Sequence, residues 1–249
     1  MLGSNVQRIN HHTRPVGVTM AHRPEKRKFQ NHIVSGRQAT LANTSLAKKT
    51  FTNQFKKRMS PKHHIRPASS TSQDGPLILS LTDSQLPHLA RIGSAEQWGT
   101  ASIASNAASQ EKYKNLVARS EEPQTWGDNN KDWVDVSILE VEVETENLPD
   151  EVRGLVTDRS DDEGTCRLPI AAMVLEACSS EYTRPVIPEQ DEADPFVYVR
   201  FLVSDRRAGG LSKGSGQVLL EHADAVARSL GVGRLVLDGW SGNGGSLVR

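Results

Sequence analysis

The residues best suited to chemistry lie late in the chain, in "GGLSKGSGQVLLEHADAVARSLG", Gly209 to Gly231. A glycine-rich run carrying one lysine passes directly into a helix-period pattern. The first N–H groups of a helix have no intrahelical acceptor and carry partial positive charge, so a helix start of this kind takes anions, phosphates above all. Gly214 and Gly216 lack the Cβ atoms that keep an anion off the backbone, and Lys213 adds a point charge beside them.

Spacing narrows which anion. A P-loop requires GxxxxGK[ST]; Gly209 and Gly214 have the interval, but Ser215 and Gly216 stand where the Lys and Ser/Thr belong. A dinucleotide fingerprint requires GxGxxG. Gly214 and Gly216 supply its first two glycines and Leu219 replaces the third, while Asp238 is the right kind of ribose partner at the end of the next strand.

The elements that must hold this loop read clearly on either side. "FVYVRFLVS", Phe196 to Ser204, is aromatic and β-branched, interrupted only by Arg200, and predicts a strand. From Gln217 to Leu230, Leu219, Ala223, Val226, Ala227 and Leu230 make one apolar helical stripe. Glu221, His222 and Asp224 are expected toward solvent, and Gly231 is placed to stop the helix. "RLVLD", Arg234 to Asp238, then returns to a strand, and strand–loop–helix–strand normally joins two parallel strands.

Upstream, "LPIAAMVLEA" (Leu168 to Ala177) predicts a buried strand and "DWVDVSILEVEVE" (Asp132 to Glu144) a half-buried one. "ETENLPDEVRGLVTDRSDDEGT" between them reads as a long loop, and "SQEKYKNLVARSEE" as a short helix. Leu77 to Leu81 form a first short apolar run. Thr82, Asp83 and Ser84 then resemble a cap for a helix through Leu86, Leu89 and Ile92. Together these elements predict an α/β class with a mixed sheet.

The 249 residues carry no net formal charge, but from Met1 to Gln73 there are fourteen Lys or Arg against one acid, Glu25. The remainder therefore has sixteen basic and twenty-nine acidic residues. Residues 1–74 predict a disordered basic leader and residues 75–249 the folded domain, because the leader cannot bury enough apolar surface to offset its chain entropy. Such a leader suits nucleic acid, an anionic membrane surface or an organelle address, or is simply solvated, with Met20 and Met59 as alternative starts. Phe29, Phe51 and Phe55 are its only aromatic rings, so any nucleic-acid contact would be weak and independent of base sequence.

No apolar run approaches the ~20 residues of a membrane span, and no secretory signal opens the chain. Cys166 and Cys178 have neither CxxC nor metal-ligand spacing and read as structural thiols in a reduced intracellular compartment. The cytoplasm is the simplest such compartment, with nucleus and mitochondrion as alternatives. The pairs His11/His12 and His63/His64 read as polar leader residues, and no metal site is expected.

From Phe196 to the C-terminus, "FVYVRFLVSDRRAGGLSKGSGQVLLEHADAVARSLGVGRLVLDGWSGNGGSLVR" resembles the central motif of the Gcn5-related N-acetyltransferases. That family's fourth strand resembles Phe196 to Ser204, its pyrophosphate loop Gly214 to Gly216, its third helix Gln217 to Leu230, and its fifth strand Leu235 to Asp238. Trp240 to Asn243 match the family's segment after its fifth strand. Leu168 to Ala177 look like its third strand, and Leu77 to Glu122 its first strand and two helices. The resemblance implies acetyl-coenzyme A as co-substrate and an amine, small-molecule or protein, as acceptor. It places pantetheine against the backbone of Leu202 and Val203, pyrophosphate on the N–H groups of Lys213, Gly214, Ser215, Gly216 and Gln217, and a further cofactor contact at Asn243. Glu176 and Tyr198 become candidates for proton transfer; no catalytic residue is assigned.

Two departures accompany it. Leu211 occupies a position that the family usually fills with Gln or Arg, leaving Arg206, Arg207 and Lys213 as the available charges. The family's last helix, with the Tyr that protonates the leaving thiolate, and its two closing strands have no counterpart before the final "SLVR". The expectation is an incomplete domain with an exposed sheet edge, poorly soluble or in need of a partner. The competing reading is a non-catalytic protein whose basic leader binds nucleic acid or another anionic partner.

Overall fold

The computed structural model describes residues 62–127, 131–160, 164–181, 190 and 193–238. The leader up to residue 61 and the segment containing Trp240 and Asn243 lie outside the described residues. In chain order the elements are β1 (His63–Pro67), α1 (Asp74–Asp83), α2 (Leu86–Arg91), α3 (Ala95–Trp98) and α4 (Ala107–Glu121). After these come β2 (Val134–Glu144), β3 (Asp158–Ser160), β4 (Thr165–Glu176), β5 (Phe196–Ser204), α5 (Ser215–Ser229) and β6 (Arg234–Leu237). They form a mixed sheet in the order β1-β2-β4-β5-β6, with β3 paired to β4 beside that path. Every pairing is antiparallel except β5 with β6, which are parallel and joined through α5.

The boundary between leader and domain is corrected. "HHIRP" lies inside the stretch assigned to a disordered leader, yet His63 to Pro67 pair in register with Val141 to Ser137 of β2. Ile65 packs against the main core, and charges do the rest. Glu142 on β2 lies 3.2 Å from Lys62 Nζ and 3.3 Å from His64 Nε2, and Arg66 reaches two buried acids. His64 is thus a cross-strand partner rather than a leader residue.

A second correction concerns Leu77 to Leu81, which belong to α1 and not to a strand. A short unbroken apolar run has no period that separates a strand from a buried helix. Here the run is apolar all round because α1 is packed between the sheet and α4. Thr82 and Asp83 consequently end α1, and the helix through Leu86 is a separate short one. The acid-rich connection read as a loop contains 3-10 turns at Thr145–Asn147 and Asp150–Leu155, and then β3.

Both sheet faces are covered. On one, Leu77, Ile78, Leu81, Tyr113, Leu116 and Val117 of α1 and α4 cluster with Val136, Ile138, Ala172, Val174 and Val203. On the other, Leu219, Ala223 and Ala227 of α5 cluster with Leu139, Val141, Ile170, Met173 and Val197. The two alanines let α5 lie close to the strands. Gly75 does the same for α1 against α4: a Cβ there would meet Lys114 Cα and N at 3.2 Å.

One polar network runs through the first face. Arg66 Nη1 and Nη2 donate to the two oxygens of Asp74 at 2.6 and 3.0 Å, and Arg66 Nε donates to Glu140 at 2.7 Å. Ser69 N–H and Thr157 Oγ1 add bonds to Asp74 and Glu140. Both acids are buried, and their hydrogen bonds raise the already high arginine pKa. The network ties β1 to β2 and fixes where α1 begins.

Removing the arginine strands two buried carboxylates. Arg66→Met is expected to cost about 3–5 kcal/mol in urea unfolding; a loss under about 1 kcal/mol would show that the acids re-pair without it.

Lys62, then His64, hold the Glu142 carboxylate below its usual range. A folded pKa below the unfolded one gives stability that is complete above the ordinary value of 4.5 and is lost as pH falls through the folded value. Glu142→Gln should therefore flatten the acid limb of a melting-temperature profile between about pH 3 and 6. An unchanged limb would contradict the pairing.

Candidate functional site

The site is built where two parallel strands part. β5 and β6 pair from Phe196 opposite Arg234 to Val199 opposite Leu237. From Arg200 onward that edge of β5 has no strand beside it among the described residues. On the β4 side, Leu175 faces Val199 and Val174 faces Phe201, so Arg200 is an extra residue, a β-bulge. Arg200 is held there by Glu176, 2.9 Å from its Nη1.

Strand alternation decides which backbone groups face the opening. Asp205 N–H donates to Ile170 O of β4 at 2.7 Å, so Val203, two residues back, also turns its N–H and C=O toward β4. Leu202 and Ser204 turn theirs the other way, and Ser204 O accordingly accepts from Gln85 Nε2. Of the two residues proposed for pantetheine, Leu202 presents its peptide groups to the opening. Val203 spends its own on β4 and buries its side chain with α1 and α4.

The loop after β5 is strongly restrained. Asp205 is fully buried and accepts from Arg207 N, Nε and Nη2 at 2.8, 2.9 and 2.8 Å. Arg207 Nη2 also reaches Ser80 Oγ of α1 at 3.0 Å. A 3-10 turn at Gly209–Ser212 comes next, and Leu211 packs its side chain against the main core. This loop is therefore anchored by an apolar contact at Leu211.

Gly214 then starts α5 in the left-handed region, with φ of 86° and no side-chain cap. Lys213 N–H donates to Gly210 O, and Gln217 N–H donates to Gly214 O. The N–H groups of Gly214, Ser215 and Gly216 have no acceptor among the described residues. Of the five residues expected to cradle an anion, Lys213 and Gln217 use their N–H groups within the fold, and Ser215, between Gly214 and Gly216, is buried. Lys213 is exposed at the rim, and Gln217 bonds Glu221 through its side chain at 2.9 Å. The cradle adjoins the open strand edge, since a Cβ on Gly216 would lie 3.7 Å from Leu202 Cδ2.

The remaining candidates fall away from the opening. Tyr198 is fully buried; its hydroxyl donates to the Asp238 carboxylate and lies 3.3 Å from the Ser180 hydroxyl, from which it can accept. Asp238, the possible ribose partner, is therefore engaged within the fold, and Glu176 is engaged by Arg200. Arg207 is neutralised by Asp205, whereas Arg206 is exposed, with its Nε 3.1 Å from Gln85 Oε1. On α2, burial and then the charges of Arg206 and Arg91 lower the His88 pKa. His222, expected toward solvent, instead turns inward: its Nε2 lies 3.4 Å from Ser137 Oγ on β2.

Gln85 escaped the sequence reading, and Ser84 was read only as part of a helix cap. Their partners on the β5 side lie 119 to 122 residues away, and nothing local marks them. Arg200 did carry a signal, as the single charge in an apolar strand. Among the described residues, no group of three or more His, Cys, Asp or Glu is placed to hold a metal ion, and no helix is long and apolar enough to cross a membrane.

The two glycines should respond differently to alanine. Gly214→Ala forces a side chain into the left-handed region and should cost about 1–2 kcal/mol. Gly216→Ala meets only ordinary contact and gains helix propensity, so stability should hold or rise by up to about 1 kcal/mol. Equal effects in thermal unfolding would contradict this start of α5.

Compared with models of known protein families and with curated protein sequences, the chain matches none.

Proposed function

We propose that this domain is an acetyl-coenzyme A-dependent N-acyltransferase, moving an acetyl group to an amine. The observation that carries the reading is the contiguity of two features: a strand edge open beyond Val199 and a glycine-started helix with three unengaged N–H groups. A coenzyme A thioester needs both, since its pantetheine arm carries amides that pair like a strand and its pyrophosphate suits a helix start. The parallel pairing of β5 and β6 through α5 is consistent with it, because strand, glycine loop, helix and strand are the stretch that carries the resemblance.

Bound acetyl-coenzyme A would supply an activated acyl group as a thioester. In this reading Leu202 holds the pantetheine amides through its outward N–H and C=O. Gly214, Ser215 and Gly216 hold the pyrophosphate, with Lys213 at the rim. A backbone N–H on the open edge near the Arg200 bulge polarises the thioester carbonyl, favouring the charge that develops on its oxygen. The acceptor amine must give up a proton. Tyr198 and Glu176 are both engaged within the fold, so a water chain at the mouth is the route assigned here.

Isothermal titration of the full chain with acetyl-coenzyme A tests the reading directly. Saturable binding is expected, weakened about a hundredfold, on the order of 3 kcal/mol, when Gly214→Asp and Gly216→Asp set two carboxylates against the pyrophosphate. A folded chain that does not bind, or binding indifferent to both substitutions, would overturn it.

A further inference from the structure

We infer that Gln85, in the α1–α2 turn, is a positioning residue that sets the register of an extended ligand on the open edge of β5. The inference rests on the coenzyme A reading above. An extended chain on an open strand edge can slide by two residues and find the same pattern of donors and acceptors, so register must be imposed from outside the ladder. On β5 the outward groups belong to Leu202 and Ser204. Gln85 Nε2 occupies Ser204 O, which leaves Leu202 C=O as the acceptor available to a ligand amide.

The turn that presents Gln85 is itself fixed. Ser84 Oγ donates to Leu81 O at 2.6 Å and accepts from Arg206 N at 3.0 Å. Gln85 N–H donates to Thr82 O at 3.0 Å, and its Oε1 accepts from Arg206 Nε at 3.1 Å. Both ends of the Gln85 amide are therefore used, one on the last residue of β5 and the other on Arg206 in the segment that leads to Gly214. Next to Arg206, Arg207 binds Ser80 of the helix that the turn leaves. The α1–α2 turn thereby closes the upper end of the edge and holds the path from Leu202 to Gly214 at a fixed length, which a ligand bridging both features requires.

The test separates this role from folding and from the cradle. Acetyl-coenzyme A reports on edge and cradle together; its nucleotide half, 3′-phospho-ADP, reports on the cradle alone. For Gln85→Leu in the full chain, the dissociation constant for acetyl-coenzyme A should rise about tenfold while that for 3′-phospho-ADP stays within about twofold. Gln85→Glu keeps an acceptor for Arg206 and loses only the donor to Ser204, so its ratio of the two constants should rise similarly, which keeps the test valid if the leucine variant folds poorly. An unchanged ratio in both variants, whether through equal weakening or none, overturns the inference. A wild-type chain that binds neither probe overturns the coenzyme A reading itself, whereas one that binds only the nucleotide overturns the role of the edge while leaving the cradle.

Discussion

A parallel strand pair that stops at Val199 opposite Leu237 leaves peptide groups of β5 facing an opening, and the rest of the site is arranged around that fact. A backbone amide with neither protein nor water partner costs about 1–3 kcal/mol. An edge of this kind is therefore kept hydrated or is met by a ligand that pairs like a strand. The Arg200 bulge sits where pairing with β6 ends and shifts the strand's register against β4. As a result Leu202, not Val203, presents its N–H and C=O. Across the gap, α5 begins at the left-handed Gly214, and Gly216 in its first turn approaches the Leu202 side chain, so strand edge and helix start are neighbours.

Much of the molecule serves to hold that geometry from a distance. Arg66 on β1 fixes the first turn of α1 through Asp74 and joins β1 to β2 through Glu140. The far end of α1 then reaches β5 on the same face of the sheet, where Ser80, Ser84 and Gln85 bind the segment after β5. A buried ion network at one end of a helix and a hydrogen-bonded turn at the other make α1 a strut between the first strand and the candidate site. Buried charges are an uncertain source of stability, because their desolvation offsets their attraction, but they do define one arrangement when every partner is present.

The sequence was legible where local chemistry decides structure. β5 matches the aromatic, β-branched run from Phe196 to Ser204, and α5 matches its apolar stripe within two residues at its start. The parallel pairing of β5 and β6 was implied by the length of their crossover. Legibility failed where tertiary surroundings decide. Leu77 to Leu81, where the resemblance implied a first strand, are helical: an apolar run without period is silent about its conformation, and packing against the sheet and α4 decides it. The strand at His63 to Pro67 was hidden because only Ile65 in it is apolar and packed on the core, and the rest is held by cross-strand charges and a ladder. Within the site, Gly214 was readable from its type, whereas the engaged N–H groups of Lys213 and Gln217, the inward turn of Tyr198 onto Asp238, and the Gln85 contact to Ser204 depend on partners that only the fold brings near.

The most direct test of the central claim is to follow individual backbone amides of isotope-labelled protein during titration with acetyl-coenzyme A. If strand edge and helix start form one continuous cradle, the amide of Leu202 and those of Gly214, Ser215 and Gly216 shift together with a single dissociation constant, while that of Val203, already bonded to β4, moves much less. Shifts confined to the helix start, or a Val203 response as large as that of Leu202, would contradict the account.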